Sequence, residues 1–331
     1  MKVCPICGSV LAICLVACTS VGMSPRERAC LYGASANVLA RVVEENGLAV
    51  SNADVVVYFS LAVREGKTAK GKSDANGGFR ADGKTTGDVY VSVDKKGYYH
   101  SEVKIDLTAG ETRNVNCGKW TPGEIVTNIV IRKVIKPVKL ITPQWSKGFL
   151  IPQGGVAMGL DLEKQDWVKP WGNGEIADFE VMYKSDGKRR FEYSGASLKI
   201  NFIRPFDGAY KSKLNKTSAL QTIHQADTNL VYQNVFKFWE KRDGKRFIGE
   251  SLSDDEYLVL RTRSRVDKEG KFVGGQYSMI SGLMFGWSDK AFGAIRFRSH
   301  INPTFNDPNL EEMNIYNTPN FRTIGGLPKQ Q

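Results

Sequence analysis

Residues 54–59 read Asp54-Val55-Val56-Val57-Tyr58-Phe59, a run of β-branched and aromatic side chains that predicts a buried β-strand. Upstream, residues 37–43 alternate between apolar and polar side chains, and Asn46-Gly47 between the two runs is typical of a tight turn. Further strands are predicted downstream at residues 89–93 and 103–107. Because no long helical periodicity appears between residues 36 and 119, this region is predicted to be a sandwich of short strands.

The order and spacing of these turns and strands are distinctive. Asn46-Gly47 is followed by residues 50–55, by the turn at residues 73–79, and by Val91-Ser92-Val93 with Lys96-Gly97-Tyr98. This order resembles the carboxypeptidase regulatory-like domain, a transthyretin-like Greek-key sandwich that is non-catalytic in itself and recurs as an accessory module in exported bacterial proteins. The resemblance implies that fold for residues 36–120. Ala49-Val50 stands where that family often has a proline after the first turn.

The segment Asp74-Ala75-Asn76-Gly77 is compatible with two structures. Oxygen ligands at alternate positions followed by glycine open a calcium loop, but the closing glutamate is missing because the twelfth position is Thr85. Asn-Gly also forms β-turns, since both residues tolerate positive φ. We predict the turn and no metal site. No metal site is predicted at Cys4-Pro5-Ile6-Cys7 either, because the sequence lacks a second pair of ligands for it.

A second all-β domain, a sandwich or a jelly-roll-like arrangement, is predicted from residue 121 to residue 331. Its sequence is not similar to a family that we recognise. A short helical pattern occurs at residues 217–231. The strand at residues 125–131 could belong to either domain. Strands are predicted at residues 125–131, 179–183, 196–203, 235–239, 257–266, 272–285 and 291–299.

Residues 1–17 have the composition of a secretory signal: Lys2 is the only charge, and the apolar run that follows is too short to span a bilayer. Leu15-Val16-Ala17-Cys18 resembles the lipobox of bacterial lipoproteins. That resemblance implies that Cys18 becomes the diacylated N-terminus, although an ordinary exported protein cut elsewhere fits the same composition. In that family, a residue other than Asp after the cysteine is associated with transfer to the outer membrane, and Thr19 holds this position here. We therefore expect a lipid-anchored cell-envelope protein, with residues 18–35 as a tether.

Charge and cysteine content agree with export. The net charge of +11 becomes +10 once Lys2 is removed, which favours anionic neighbours such as lipid phosphate or acidic glycans. Nucleic acid is not expected as a partner of an exported lipoprotein, whereas another envelope protein is. Cys30 and Cys117 lie outside the signal and could form one disulfide in an oxidising compartment.

Two groups of side chains are candidates for ligand binding. Strand alternation would place Arg261, Arg263 and Arg265 on one face, with Arg296 and Arg298 on a second strand. Together they could form a basic surface that binds anionic glycan or lipid phosphate, or a solvated face with acidic partners. The loop at residues 167–174 brings Trp167 and Trp171 near one another, either to stack on sugar rings or to close the domain core.

No catalytic residue and no cofactor are predicted. The three histidines fall in no HxxE or HExxH element, so the zinc peptidase chemistry that accompanies the regulatory domain elsewhere is not indicated. Asp178, Glu180 and residues 254–256 could serve a glycosidase only with a partner carboxylate roughly 5–10 Å away. We therefore predict a non-catalytic binding or scaffolding module. The alternatives are a glycan-active hydrolase with its site in the C-terminal domain and a structural assembly subunit.

Overall fold

The computed structural model describes residues 23–109, 114–143, 148–187 and 193–313. Their regular structure is nearly all β, which confirms the predicted all-β fold class. The chain divides into two compact units. The first runs up to Val134 and includes Thr217–Ala219, and the second comprises Ile135–Lys216 and the residues from Leu220 onward. The predicted signal and the lipidation site Cys18 lie outside the described residues.

A short α-helix, α1 (Pro25–Tyr32), precedes the first strand, within the segment predicted as a tether. Ser24 caps it: its Oγ accepts a hydrogen bond from the Glu27 amide, and its own amide donates to the Glu27 carboxylate. Pro25 lies in the first turn, where a missing N–H leaves no helical bond unmade. Gly33 ends the helix with a φ of 82°. Local capping therefore makes this segment helical. In the part of the chain that the structure describes, no helix is long and apolar enough to cross a bilayer.

In the described part of the first unit, nine strands pair into two sheets around one core. They are β1 (Ala34–Val43), β2 (Asp54–Phe59), β3 (Lys67–Lys72), β4 (Gly78–Thr85), β5 (Asp88–Asp94), β6 (Ser101–Asp106), β7 (Val115–Asn116), β8 (Lys119–Trp120) and β9 (Ile125–Val130). One sheet has the order β4-β1-β8-β7, with β9 also paired to β1, and the other has the order β3-β2-β5-β6.

The core of the first unit follows from strand alternation. On β2, Val55, Val57 and Phe59 are buried, and on the antiparallel β5 the buried Val91 lies opposite Val57. From the other sheet, the alternate side chains of β1, such as Val38, enter the same cluster. The predicted buried strand at residues 54–59 is therefore one wall of this core.

Strand β9 belongs to the first unit, which settles an assignment that the sequence left open. It pairs in parallel with β1, from Val38 opposite Ile125 to Val43 opposite Val130. Ile125 and Ile129 are buried in the same core. The first unit thus continues past residue 120, because β9, which follows that residue in the chain, pairs with the edge of β1.

Asp74 organises the turn between β3 and β4. Its Oδ1 accepts hydrogen bonds from the amides of Asn76 and Gly78, both at 2.8 Å, and Gly77 has a φ of 75°. A carboxylate that caps its own turn explains the Asp-x-Asn-Gly spacing as turn chemistry. Within the described residues, no group of three or more His, Cys, Asp and Glu side chains is arranged to hold a metal ion.

Among the residues of the second unit that the structure describes, eleven strands form two antiparallel sheets. They are β10 (Phe149–Ile151), β11 (Ala157–Asp161), β12 (Asp166–Trp167), β13 (Phe179–Asp186), β14 (Gly195–Asn201), β15 (Gly208–Lys213), β16 (Val235–Asp243), β17 (Arg246–Glu250), β18 (Glu256–Val266), β19 (Phe272–Gly286) and β20 (Gly293–Ile301). The β18 sheet has the order β10-β20-β19-β18-β15, and the β13 sheet has the order β12-β11-β13-β14-β16-β17.

The two sheets of the second unit share one core, so the unit is a β-sandwich. Leu198 and Phe238 from the β13 sheet pack in the same cluster as Leu258 and Ile280 from the β18 sheet. A smaller apolar cluster, which includes Val259 and Tyr277, covers the other face of the β18 sheet. The helical pattern at residues 217–231 does not form a helix. Ser218 and Gln225 instead make isolated β-bridges, to Ser101 and Asn309 respectively. Tertiary pairing overrides a weak local pattern there.

Candidate functional site

The candidate site of the second unit begins at a β-bulge in β18. The register between β18 and β19 shifts between Thr262 and Arg265, and Arg263 adopts a left-handed φ of 54°. A bulge inserts an extra residue and so reverses the side-chain alternation beyond it. Arg263 consequently reaches carboxylates of the β13 sheet, whereas Arg261 contacts the aromatic cluster on the other face of β18.

Three carboxylates converge on the guanidinium of Arg263. Its Nε lies 2.8 Å from Asp178 Oδ1 and its Nη2 lies 3.1 Å from Asp178 Oδ2, a bidentate pair. Nη2 also donates to Asp161 Oδ1 at 2.9 Å, and Nη1 donates to Glu163 Oε2 at 2.6 Å. Asp161 and Asp178 are almost completely buried, with 2% and 1% exposure. Arg263 is therefore the counterion of two buried charges and fixes the floor of the site.

Asp161 is held by backbone amides as well as by that guanidinium. Its Oδ2 accepts hydrogen bonds from the amides of Glu175 and Ile176 at 2.9 and 3.1 Å, and its Oδ1 accepts one from Lys164 at 3.1 Å. A Cβ at Gly174 would lie 2.9 Å from Asp161 Cβ, so glycine is what allows this loop to approach. Burial raises the pKa of Asp161, but the amides and the guanidinium outweigh it and lower the pKa below its usual 3.8.

A third buried carboxyl, Asp207, lies beside the bulge. Its Oδ1 accepts a hydrogen bond from the amide of Ser264 at 2.8 Å, and its Oδ2 is 3.7 Å from Arg204 Nη1. Burial raises the pKa of Asp207 above its usual value. Asp207 thus holds the bulged backbone at Ser264 in place.

A cavity of about 410 Å³ opens at this point. Its wall combines guanidinium groups, amide and hydroxyl groups, and apolar side chains. Arg265 stacks over the Phe305 ring, 4.3 Å from the ring centre, and Gln276 Nε2 donates to Glu163 Oε1 at 2.6 Å. We call this the arginine cavity. It is lined by Glu163, Ile176, Arg204, Arg263, Ser264, Arg265, Gln276, Pro303 and Phe305.

The arginine cavity brings together only part of the basic surface expected from the sequence. Arg263 and Arg265 line it, but Arg261 is 9% exposed, donates to the Phe206 carbonyl at 2.8 Å and stacks on Tyr232. Arg296 and Arg298 are exposed on β20 and lie outside it. Sequence reasoning missed Arg204, Gln276 and Phe305. Two of these lie in loops, where strand alternation carries no signal.

The two tryptophans occupy core positions. Trp167 is 4% exposed, its Nε1 donates to the Leu150 carbonyl at 2.7 Å, and its ring meets the Phe149 ring edge-on at 5.9 Å. Trp171 is partly buried against the same core. The Trp167 ring therefore closes the core, the second of the two roles that the sequence allowed, and offers no open face to a sugar.

Cys30 and Cys117 are free thiols, so the disulfide predicted between them is not formed in the structure. Cys30 is half-buried in α1 and Cys117 is exposed between β7 and β8. The carboxylates considered for a hydrolase have other contacts. Asp178 pairs with Arg263, while Glu180 accepts from Asn201 Nδ2 at 3.3 Å. Residues 254 and 255 form a turn before β18, and Ser253 donates to the side chains of both Asp255 and Glu256.

The match to a known protein family lies in the first unit. Residues 37–117 match the carboxypeptidase regulatory-like domain, so this domain is present where the sequence indicated it. No curated protein is similar enough to the chain to count as a match.

Among solved structures, the 3-chlorocatechol 1,2-dioxygenase of Rhodococcus opacus 1CP is 12% identical, with a TM-score of 0.26, over 31% of this chain and 62% of that one. The chlorocatechol 1,2-dioxygenase of Pseudomonas putida is 14% identical, with a TM-score of 0.24, over 30% and 61%. This chain thus spans less than two thirds of those proteins. Likenesses with such low scores carry no argument about it.

Proposed function

We propose that this protein is a non-catalytic, lipid-anchored component of the bacterial cell envelope whose second unit binds an acidic glycan in the arginine cavity. The observation that carries the proposal is the pair Arg204 and Arg265 at the wall of a cavity whose floor is fixed by Arg263. Guanidinium groups pair with carboxylate, sulfate or phosphate, and the cavity wall also contains an amide side chain and an aromatic ring.

The contacts of the cavity carboxylates favour binding over hydrolysis. Glu163, which lines the cavity, accepts hydrogen bonds from Arg263 Nη1 and Gln276 Nε2. Asp161 and Asp178 lie behind it in ion pairs with the same guanidinium. A glycosidase needs one carboxyl that is free to protonate the leaving group, whereas these three carboxylates all accept hydrogen bonds from the Arg263 guanidinium. A hydrolase and an assembly subunit are therefore the second and third candidates.

The cavity is tested with a defined acidic sugar. We expect the protein to bind a hexameric oligouronate in titration calorimetry, and Arg265→Ala to weaken that binding about tenfold or more, since a charged hydrogen bond is lost. Arg296→Ala removes an equally exposed arginine outside the cavity and should leave the affinity unchanged. Titration with a neutral hexasaccharide tests whether binding requires the negative charges of the sugar. Equal losses in the two variants would contradict the proposal, and release of new reducing ends would favour the hydrolase.

The anchor is tested by intact mass of the membrane fraction from cells that express the full chain. We expect the protein to carry the added mass of a diacylglyceryl group and to lack residues 1–17. In the Cys18→Ser variant that added mass should be absent, because the thioether that holds the lipid needs the Cys18 sulfur. An unmodified, water-soluble protein from the unaltered sequence would refute the anchor but leave the cavity proposal standing.

A further inference from the structure

The outer face of the β13 sheet carries four lysines and two large apolar side chains at its centre. Strand alternation turns Val181, Leu198 and Phe238 into the sandwich core. The intervening side chains of β13, β14 and β16, and alternate side chains of the paired β17, lie on the opposite face. This second set belongs to neither the arginine cavity nor the core. We call its central part the lysine face, which contains Lys184, Lys199, Lys237, Trp239, Lys241 and Ile248 together with Asp186 and Glu250.

The register of the strands places these side chains next to one another. Trp239 lies opposite Ser197 on β14, which in turn lies opposite Lys184 on β13. In the adjacent row on one side of Trp239, Lys237 lies opposite Lys199. In the adjacent row on the other side, Lys241 lies opposite Ile248. Residues opposite or diagonal to each other on a sheet face are within about 5–8 Å. Trp239 is thus ringed by lysines from its own strand and from β14.

The lysine face is open and carries more positive than negative charge at its centre. Trp239 and Ile248 are 43% and 49% exposed. Within the described residues, none of the four lysines forms an ion pair. Two acidic residues lie in the same three rows: Glu250 is opposite Trp239, and Asp186 shares the row of Lys241. Further charges of both signs, Glu180, Asp243 and Arg246, lie toward the ends of the face. The centre of the face therefore carries four positive charges against two negative charges.

The chemistry of these side chains favours a membrane over a polysaccharide. Lysines are flexible point charges whose stems can run along an apolar boundary while the ammonium group stays among headgroup phosphates. Tryptophan is enriched at membrane interfaces. A sugar-binding sheet face would instead need flat rings and fixed polar groups, and Ile248 supplies neither. We propose that the lysine face rests on an anionic phospholipid surface, with Trp239 and Ile248 inserted at the headgroup level.

The proposal is tested with vesicles and with the chain from residue 19 onward, which keeps every described residue and carries no acyl anchor. We expect this protein to bind vesicles of equal parts phosphatidylglycerol and phosphatidylcholine but not phosphatidylcholine alone. Lys237→Gln with Lys241→Gln should weaken binding roughly tenfold or more at low salt, because each lysine near an anionic surface contributes about a fivefold gain. Quenching by brominated lipid should fall in Trp239→Phe, which identifies the inserted ring.

The matched control is Lys211→Gln with Lys213→Gln, two exposed lysines on one face of β15 in the other sheet. We expect this variant, and Arg265→Ala of the arginine cavity, to bind vesicles within twofold of the unaltered chain. Equal losses in both lysine pairs would mean a non-specific effect of net charge and would overturn the proposal. An absence of vesicle binding would also overturn it. The same holds if the Lys237/Lys241 variant loses oligouronate binding while its vesicle binding is unchanged. Unchanged circular dichroism establishes that each variant is folded.

Discussion

Arg263→Ala is expected to lower the free energy of unfolding of the second unit by about 3–5 kcal/mol, because it leaves buried charges without their counterion. Asp161 and Asp178 are 2% and 1% exposed, and both bond to this guanidinium. The loss is measured by urea denaturation, together with hydrogen exchange at amides of β18 and β13. Those amides should exchange faster in the variant, whereas the amides of β2 and β5 in the first unit should not.

The control for this prediction lies two residues along the same strand. Arg265→Ala removes the same guanidinium from an exposed position, where it contacts the Phe305 ring. Its expected effect is below about 1 kcal/mol. If Arg265→Ala destabilised the unit as much as Arg263→Ala does, the carboxylate cluster would not be the cause.

The effect of Arg263→Ala should also depend on pH. The pKa of Asp161 is lowered in the folded protein, so its contribution is present above the usual carboxyl pKa and is lost as the pH falls through the folded value. Removing the guanidinium raises that pKa. The difference in stability between the variant and the unaltered chain should therefore be largest near pH 7 and narrow below about pH 4. A difference that stays constant from pH 7 to pH 3.5 would argue against an electrostatic origin.

Ile129→Ala is expected to destabilise the first unit by about 2–5 kcal/mol, the usual range for truncating a fully buried isoleucine. Ile129 is 0% exposed and packs in the same core as the strands of the carboxypeptidase regulatory-like domain. The readout is hydrogen exchange at amides of β1 and β5, combined with denaturation of the full chain. Protection of those amides should fall, although Ile129 lies beyond residue 117, where the similarity to that domain ends.

Val126→Ala is the matched control on the same strand. Val126 is 50% exposed, so its truncation should change stability by no more than about 0.5 kcal/mol. If Ile129→Ala were equally mild, β9 would be a dispensable edge rather than part of the core. Loss of protection confined to the second unit would mean that β9 stabilises that unit instead.

Arg261, Arg263 and Arg265 show where prediction from the sequence succeeds and where it stops. The strand itself was predictable, because alternation of apolar and polar side chains is a local property. A regular strand would have kept the three arginines on one face. The bulge at Arg263 turns that side chain toward the β13 sheet, where it pairs with Asp161. Nothing within residues 256–266 indicates this.

The loop tryptophan leads to the same conclusion. From the sequence, a tryptophan near Pro and Gly residues can either stack on a sugar or fill the domain core, and only the neighbouring side chains distinguish the two. Phe149 and the Leu150 carbonyl, which come from a different strand, close around Trp167. Likewise, β9 joined the first unit because β1 had an open edge, which is a property of the assembled sheet.

By itself, the sequence determined that this is an all-β protein with a carboxypeptidase regulatory-like domain, because β-branched alternation and Asn-Gly turns act over a few residues. Tertiary structure alone decided which charged groups meet. Arg204 from one loop, Arg265 from a bulged strand and Phe305 from another loop line a single cavity only because two sheets pack face to face. Burial between those sheets also requires Arg263 to neutralise Asp161 and Asp178, since charges removed from water must be paired.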